Sequence, residues 1–593
     1  MNEVDLELAK SGEDARRHYT RSSTEERRLE LEASALHKKE TDYSNSLDES
    51  TGPGVSRVPT ARDHHEEDGM EAERVRTLIS RTRTAQSVHA NTIGADASRP
   101  RSRKEKLPPF GSGKDYPPDL PDKEKYVVEF EGFDDPMHPQ NWTTKKKFAL
   151  SALLASTCAF CVWGSSIFSP AIPAVAREFG VSNEVGTLGV SLYVLGFATG
   201  PLIWAPLSEL YGRRLPLIIG NLGFAIFQLG VAGGKDLQTI IICRFFGGLF
   251  AACPLAVVGG AFADIWDNAH RGYAINVFAL TVSVPALLAP IAGSFITNSH
   301  LGWRWTEWIT AIIGFVLLGL NVLFLEETYA PIVLVEKART LRRLTKNWGI
   351  HAKQEQIEVD FKELIEKNLS RPLKLLFTEP IVFFVSLYVA FIYGMLYLML
   401  TAYPIVFIQY HHIMGGKSSL PFIGLIIGQL TGGMIVFLWE PYYLKALKAN
   451  RGIPIPEKRL PPAMLGGFLF PIGIFWFAWT GNYPHIHWIV PTVSGIFTGA
   501  GIFLIFLQCL NYIIDAYLMF AASAIAANTF LRSIFGAVFP LFATYMFNSL
   551  KVNWAGTLLA LVSVVLLPCP FIFYKYGKRL RQKSKYAPTF GDN

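Results

Sequence analysis

Few residues in this chain could do chemistry, and the most telling are charged groups set inside apolar sequence. Arg244 lies in "IICRFFGGLFAA", with no other Asp, Glu, Lys or Arg between Asp236 and Asp264. An arginine at membrane depth costs on the order of 3 kcal/mol on insertion scales, so it needs a partner or a water-lined path. Arg532 follows Asn528 by one helical turn in "ANTFLRSIFG", so the two share a face. Such a polar pair builds either a structural hydrogen-bond network or a coupling or substrate site. Asp515 ends the apolar run just before it. Glu209, Arg213 and Arg214 crowd around Gly212 in "PLSELYGRR". A carboxylate and a guanidinium at such a loop can pair, and the pair can be made or broken as helices slide. The alternative is a plain basic turn. Asp264 and Arg271, in "FADIWDNAHRGYA", can pair across a second short loop.

Aromatic residues form the other chemical feature. Phe383, Phe384, Tyr388, Phe391, Tyr393 and Tyr397 fall in one apolar segment. Such a wall packs against neighbouring helices, or receives flat or cationic ligands by stacking and cation–π contact. His411 and His412 just beyond it read as loop residues. Nothing here resembles an enzyme. No nucleophile–base set or metal cluster stands out, and no cofactor is expected. "GGKSS" (415–419) lacks the spacing of a phosphate-binding loop. "CAFC" (158–161) has a CxxC spacing but sits in apolar sequence, where helix packing explains it.

The elements that must hold these residues are membrane spans. The 593 residues are 50% hydrophobic with a mean hydropathy of +0.24. Apolar runs of about 20 residues match a bilayer core of about 30 Å, and continuous rather than alternating runs favour helices over a barrel. The pattern predicts an all-α membrane protein with twelve spans: 148–170, 185–206, 215–233, 237–262, 272–297, 304–326, 380–408, 420–440, 463–480, 487–511, 520–547 and 554–574. Two six-helix bundles are expected, at 141–326 and 380–576. A charged linker, 327–379, with one or two surface helices joins them. Flanking them are a polar tail, 1–140, read as disordered, and a basic tail, 577–593. No secretory signal is read at the N-terminus.

The net charge of +7 does not point to nucleic acid, because the basic residues sit in loops and tails. They concentrate in the loops that share a side with both tails, which predicts cytoplasmic termini. "RVRTLISRTRTAQS" (75–88) places Ser and Thr beside basic residues, as a kinase target would. Six spans, a linker and six spans suit two halves that rock around a midplane site.

Several motifs now carry a resemblance. "APLSELYGRR" resembles the Gly-x-Leu-x-Asp-Arg-x-Gly-Arg-Arg loop of the major facilitator superfamily, in the form typical of fungal twelve-span drug:proton antiporters. Leu207, Gly212, Arg213 and Arg214 match, whereas Ala205, Glu209 and Leu210 depart from it. Arg244 and Gly248 resemble the Arg-x-x-x-Gly motif of span 4, which implies a part for Arg244 in proton coupling. "VSVPALLAPIAGSF" resembles the antiporter motif of span 5. Pro290 and Gly293 match it, and Pro285 adds a second break in backbone hydrogen bonding. "DDPMHPQNWTTKKK" resembles the fungal Asp-Pro-x-Asn-Pro-x-Asn-Trp lead-in before span 1, and residues 510–542 resemble spans 10 and 11 of the polyamine and multidrug branch. The resemblance implies a proton-driven exporter of small amphipathic or cationic compounds, with protons and the lipid bilayer as partners. A polyamine exporter is the alternative, and a non-transporting sensor a more distant one. The plasma membrane is the expected location, with the vacuolar membrane as the alternative.

Overall fold

The computed structural model describes residues 123–586 except 133, 267–270, 357–369, 451–452 and 585. The 75–88 segment and most of the N-terminal tail lie outside the described residues, as does the Arg271 side chain.

Among the described residues, eleven helices are long and apolar enough to cross a membrane. Spans 1 to 6 are Thr144–Ser166, Asn183–Tyr211, Arg214–Gly233, Leu237–Ile265, Arg271–Thr297 and Arg304–Phe324. Spans 7 to 10 are Pro380–Pro404, Phe422–Ala449, Leu460–Gly481 and Ile489–Ala516. Their starts follow helix chemistry. Ser182 accepts from the Val185 amide at 3.4 Å, and Asp236 from the Thr239 amide at 2.7 Å. Each offers an oxygen to an amide that the helix leaves unbonded.

The last apolar stretch, Ala521–Lys583, holds two crossings rather than one. Lys551 breaks it with φ 61° and ψ 167°. A straight helix of this length would extend about 95 Å at 1.5 Å per residue. Yet Phe520 and Tyr586, at its two ends, have ring centroids 5.3 Å apart. The chain therefore doubles back at Lys551, and the two arms are spans 11 and 12. The first arm packs against spans 7 and 2, where Gly536 lies beside Tyr393 and Val194. The second packs on span 9, where Gly556 lies beside Ala478 and Trp554 meets Trp479. This restores the expected twelve crossings.

Apolar side chains left exposed mark the surface that faces lipid. Ile219 and Ile226 on span 3, Val316 and Leu323 on span 6, and Met434 on span 8 are examples. The spans gather into two groups of six. Span 4 packs on spans 2 and 3 in the first group, and span 10 on spans 8 and 9 in the second. Gly248 shows how tight the first group is: a Cβ there would strike the Tyr193 carbonyl. The groups meet where span 2 faces span 11, span 5 faces span 8, and the end of span 1 faces span 7.

The side on which span 1 begins is here the tail side, and the opposite face the far side. On the tail side the linker carries helices Ala330–Thr345 and Arg371–Thr378. It is stitched to the lead-in of span 1 by a short parallel bridge. The Val128 amide donates to the His351 carbonyl and the His351 amide to the Tyr126 carbonyl, each at 2.9 Å. Val128, Ala338 and Ala352 form a small apolar core beneath it.

Candidate functional site

Arg244 is fully buried, which rules out its side chain reaching an outer interface. It stands two turns into span 4. Its Nε donates to the Gly189 carbonyl at 2.8 Å, Nη1 to the Gly164 carbonyl at 2.8 Å and Nη2 to the Ser165 carbonyl at 3.3 Å. The guanidinium lies between the rings of Phe168 and Tyr193, with centroids at 4.8 and 4.4 Å. Its carboxylate partner is Glu307, in the first turn of span 6, at 3.5 Å from Nη1. Glu307 is equally buried, and its Oε2 has no hydrogen-bond partner among the described residues. A loosely paired acid in a dry helical bundle is a group able to take up and release a proton.

From this pair a line of polar groups leads to the interface between the halves. Ser165, whose carbonyl accepts from Arg244, sets its hydroxyl 2.9 Å from that of Tyr397 on span 7. The Tyr393 hydroxyl donates to Tyr397 at 3.4 Å. The Arg532 guanidinium from span 11 lies over the Tyr393 ring at 4.7 Å and the Phe506 ring at 5.1 Å. Arg244, Tyr397, Tyr393 and Arg532 are thus brought together. Asn528 lies a turn from Arg532 but donates to Ser386 on span 7, at 3.2 Å.

Tyr388 is elsewhere. It stands five residues before Tyr393, which at 100° per residue turns it away from that face. Its hydroxyl lies near Gly467 of span 9, inside the second group. Asp515 is also apart, at the tail-side end of span 10.

The tail side holds two charge clusters built alike. In the first, Arg213 at the head of span 3 pairs with Asp264 at the end of span 4, with Nε to Oδ2 at 3.1 Å. Its Nη1 donates to Ser208 at 2.8 Å and its guanidinium covers the Tyr329 ring at 4.8 Å. Sequence reading set Arg213 and Arg214 against Glu209, and Asp264 against Arg271. The structure pairs Arg213 with Asp264, because the head of span 3 abuts the end of span 4, with the Glu209 charge close enough to act on Arg213 as well, while the Arg271 side chain lies outside the described residues. Arg214 donates to the Val322 carbonyl at 3.1 Å. The Glu209 carbonyl accepts from Gln354 of the linker at 3.2 Å.

Glu327 fastens this cluster, and sequence reading missed it. Its carboxylate accepts the amides of Arg213 (2.8 Å), Arg214 (3.1 Å), Thr328 (3.0 Å) and Tyr329 (2.9 Å). Gly212 permits this by adopting φ 86°, and a Cβ there would run into the Glu327 carboxylate. The only sequence signal was an acidic pair, Glu326 and Glu327, just past span 6.

The second cluster repeats the plan. Arg459 at the head of span 9 pairs with Asp515 at 3.2 Å and with Glu440 of span 8 at 3.0 Å. Its guanidinium sits 3.4 Å from the Tyr443 ring centroid, and the Tyr443 hydroxyl donates to Asp515 at 2.7 Å. On span 5, Pro285 and Pro290 lie within an unbroken helix. Gly293 packs against span 1, where a Cβ would stand 2.6 Å from the Ile167 carbonyl.

With this geometry in place, comparison with known proteins is direct. Residues 153–540 match the Major Facilitator Superfamily. The chain is 49% identical over 513 residues to the major facilitator superfamily multidrug transporter FLU1 of Candida albicans, covering 86% of this chain and 84% of that protein. It is 51% identical over 483 residues to the multidrug transporter TPO1_2 of Candida glabrata, covering 81% of this chain and 83% of that protein. Among solved structures, the proton:xylose symporter XylE superposes with a TM-score of 0.54 at 16% identity. That alignment covers 73% of this chain and 96% of XylE, and it speaks to the fold.

Proposed function

The chain belongs to the Major Facilitator Superfamily and is a transporter rather than an enzyme, and on that premise we propose that it exports small amphipathic, drug-like compounds in exchange for protons. The observation that carries this reading is the buried Arg244–Glu307 pair and its link, through Ser165 and Tyr397, to the interface between the halves. The relatives named multidrug transporters support the substrate class.

In this mechanism Glu307 takes up a proton from the far side, where span 6 begins. Its loss of charge frees Arg244 to bind its three backbone carbonyls alone. Because the Ser165 carbonyl is one of them, the change reaches Tyr397 and shifts how the halves meet. The Arg213–Asp264–Glu327 and Arg459–Asp515–Glu440 clusters hold each half together on the tail side while the halves rock. Gly293 of span 5, packed on span 1, keeps the far end of the first half tight against leak.

A polyamine exporter is the second reading. A polycation calls for carboxylates facing the substrate path. The deep carboxylate Glu307 is engaged with Arg244, which favours the amphipathic reading. The distribution of basic residues supports a tail side facing the cytoplasm. The plasma membrane is the proposed location, with the vacuolar membrane as the alternative that imaging of a tagged chain distinguishes.

The test is efflux from cells stripped of their own drug exporters. Cells expressing the chain, Arg244→Ala or Glu307→Gln are loaded with labelled drugs or a labelled polyamine. Protonophore-sensitive efflux by the parent, absent in both variants, supports the mechanism. Efflux that persists in both variants, or ignores the protonophore, sinks it.

A further inference from the structure

Among the described residues Arg532 is a cation without a carboxylate partner, placed in the middle of its membrane span and facing the other half. It stands eleven residues into the helix that begins at Ala521, about 16 Å along it. Spans 1, 2, 5, 7, 8 and 11 supply the surfaces where the halves meet. Every other charged residue on them lies in the first or last ten residues of its helix. No Asp or Glu among the described residues comes within ion-pair distance of Arg532. Arg244, the other deep cation, is balanced by Glu307. Among the described residues, the middle of the interface therefore carries one uncompensated positive charge.

A bare guanidinium in low-dielectric surroundings is costly, and one that is retained there lines a path or meets a ligand. Arg532 is only half-buried, so it remains reachable. It shares its face with Gly536, one turn on, which touches Val194 of the first half. That places the face on the boundary between the halves rather than on lipid. Tyr393 and Phe506 occupy the broad faces of the guanidinium. Its edge, which carries the N–H donors, makes no hydrogen bond to a described residue. A guanidinium edge matches a carboxylate in a planar two-point contact. The same two rings offer flat apolar walls beside that contact.

We propose that Arg532, with Tyr393 and Phe506, is the substrate anchor, and that the preferred cargo is a flat aromatic compound bearing a carboxylate. This rests on the exporter reading and narrows its substrate class. It runs against cationic cargo, polyamines included, because a cation would face like charge with no acid to offset it.

The test compares two ligands of one shape and opposite charge, 2-naphthoate and 2-naphthylmethylammonium. Equilibrium dialysis against the purified full chain in detergent, near neutral pH, reads both affinities. The expected result is tighter binding of the naphthoate, undisturbed by equimolar spermine. Arg532→Gln should weaken naphthoate binding about tenfold or more, which is about 1.4 kcal/mol. It should leave the ammonium compound unchanged or improved, and Arg532→Lys should fall between. Elution volume and melting temperature of the lysine variant guard against a folding defect. Preference of the parent for the ammonium ligand overturns the proposal. So does binding of neither ligand, displacement by spermine, or an equal loss of both ligands in Arg532→Gln. These readouts need no gradient, so the anchor and the proton coupling fail separately.

Discussion

Arg244 and Glu307 face one another at 3.5 Å with both side chains wholly removed from solvent. They reach this contact from unequal depths. Spans 4 and 6 both run from the far side to the tail side. Arg244 lies seven residues past Leu237 and Glu307 three past Arg304, about 10 and 5 Å down their helices. The long arginine side chain bridges the difference. Three carbonyls share the guanidinium, so the arginine is well satisfied and the acid is not.

This asymmetry predicts unequal mutants. Arg244→Ala strands a buried carboxylate and three carbonyls, and should cost about 3–5 kcal/mol. Glu307→Gln leaves the arginine its carbonyls and should cost about 1.5–3 kcal/mol, near the worth of one charge-assisted hydrogen bond. Adding Glu307→Gln to Arg244→Ala should regain part of the loss. Thermal unfolding of the purified proteins in one detergent ranks the three. If Glu307→Gln melts as low as Arg244→Ala, the acid is the structural member and the proton-carrying role is lost.

Glu327 supports a second prediction. Its carboxylate gathers four backbone amides, two from the turn after span 2 and two from Thr328 and Tyr329 that follow it. Glu327→Ala should release the turn, at about 1–3 kcal/mol for the unsatisfied donors. Hydrogen exchange should quicken at Arg213 and Arg214 and spare the amides of span 4. Gly212→Ala should do the same by collision with the carboxylate, and Glu327→Asp should do so partially. Unchanged exchange at both arginines would falsify the clamp.

How much of this could be read from sequence varies with the length scale involved. Apolar runs fixed the spans well, because bilayer thickness and helical rise tie run length to crossing. The expected bounds leave Lys551 between spans 11 and 12, and the backbone turns there within a single residue. Span 8 was ended too early. The helix runs to Ala449, because Lys445 and Lys448 extend it beyond the apolar stretch without breaking it. The charged residues of the tail-side turns were legible, but their partners were not. Pairing depends on which helix ends abut, so Arg213 meets Asp264, 51 positions away. In the sequence Glu307 is an acid near the start of span 6. Nothing in the sequence ties it to Arg244, which is 63 residues distant. The Tyr393–Tyr397 face was separable from Tyr388 by helical period alone.

The two tail-side clusters yield a third prediction. Arg213–Asp264 and Arg459–Asp515 occupy corresponding places at the heads of spans 3 and 9 and the ends of spans 4 and 10. If the pairs work by charge, reversal should rescue. Arg213→Asp and Asp264→Arg should each lower export strongly, and together restore it in part. The second cluster should rescue less well. Arg459 also serves Glu440 and covers Tyr443, so swapping it with Asp515 leaves Glu440 facing a new acid. Efflux rates of the four single and two double variants, normalised to surface amount, decide it. Equal rescue in both clusters, or none in the first, contradicts the scheme.

The last prediction concerns pH and lies outside the membrane spans. Asp135, ahead of span 1, accepts the Glu131 amide at 3.0 Å and the Met137 amide at 2.8 Å, and lies 3.5 Å from Lys337 of the linker helix. The amide of Glu131, then that of Met137, hold its pKa below the usual carboxylate value, burial opposes them, and Lys337 adds to them. Glu355 of the linker is likewise lowered, first by its hydrogen bonds from Arg342. For both acids the folded pKa lies below the unfolded one. Each therefore adds stability that is complete above the unfolded pKa and disappears as pH falls through the folded one. The bridge between lead-in and linker should hold near neutrality and loosen below about pH 4, where carboxylates begin to protonate. Exchange at the Val128 and His351 amides, corrected for its intrinsic pH dependence, should rise in that window. Asp135→Asn, already uncharged, should show faster exchange near neutrality and a shallower acid response. Exchange that stays flat from about pH 7 to about pH 3 in the parent would show that neither acid holds the bridge.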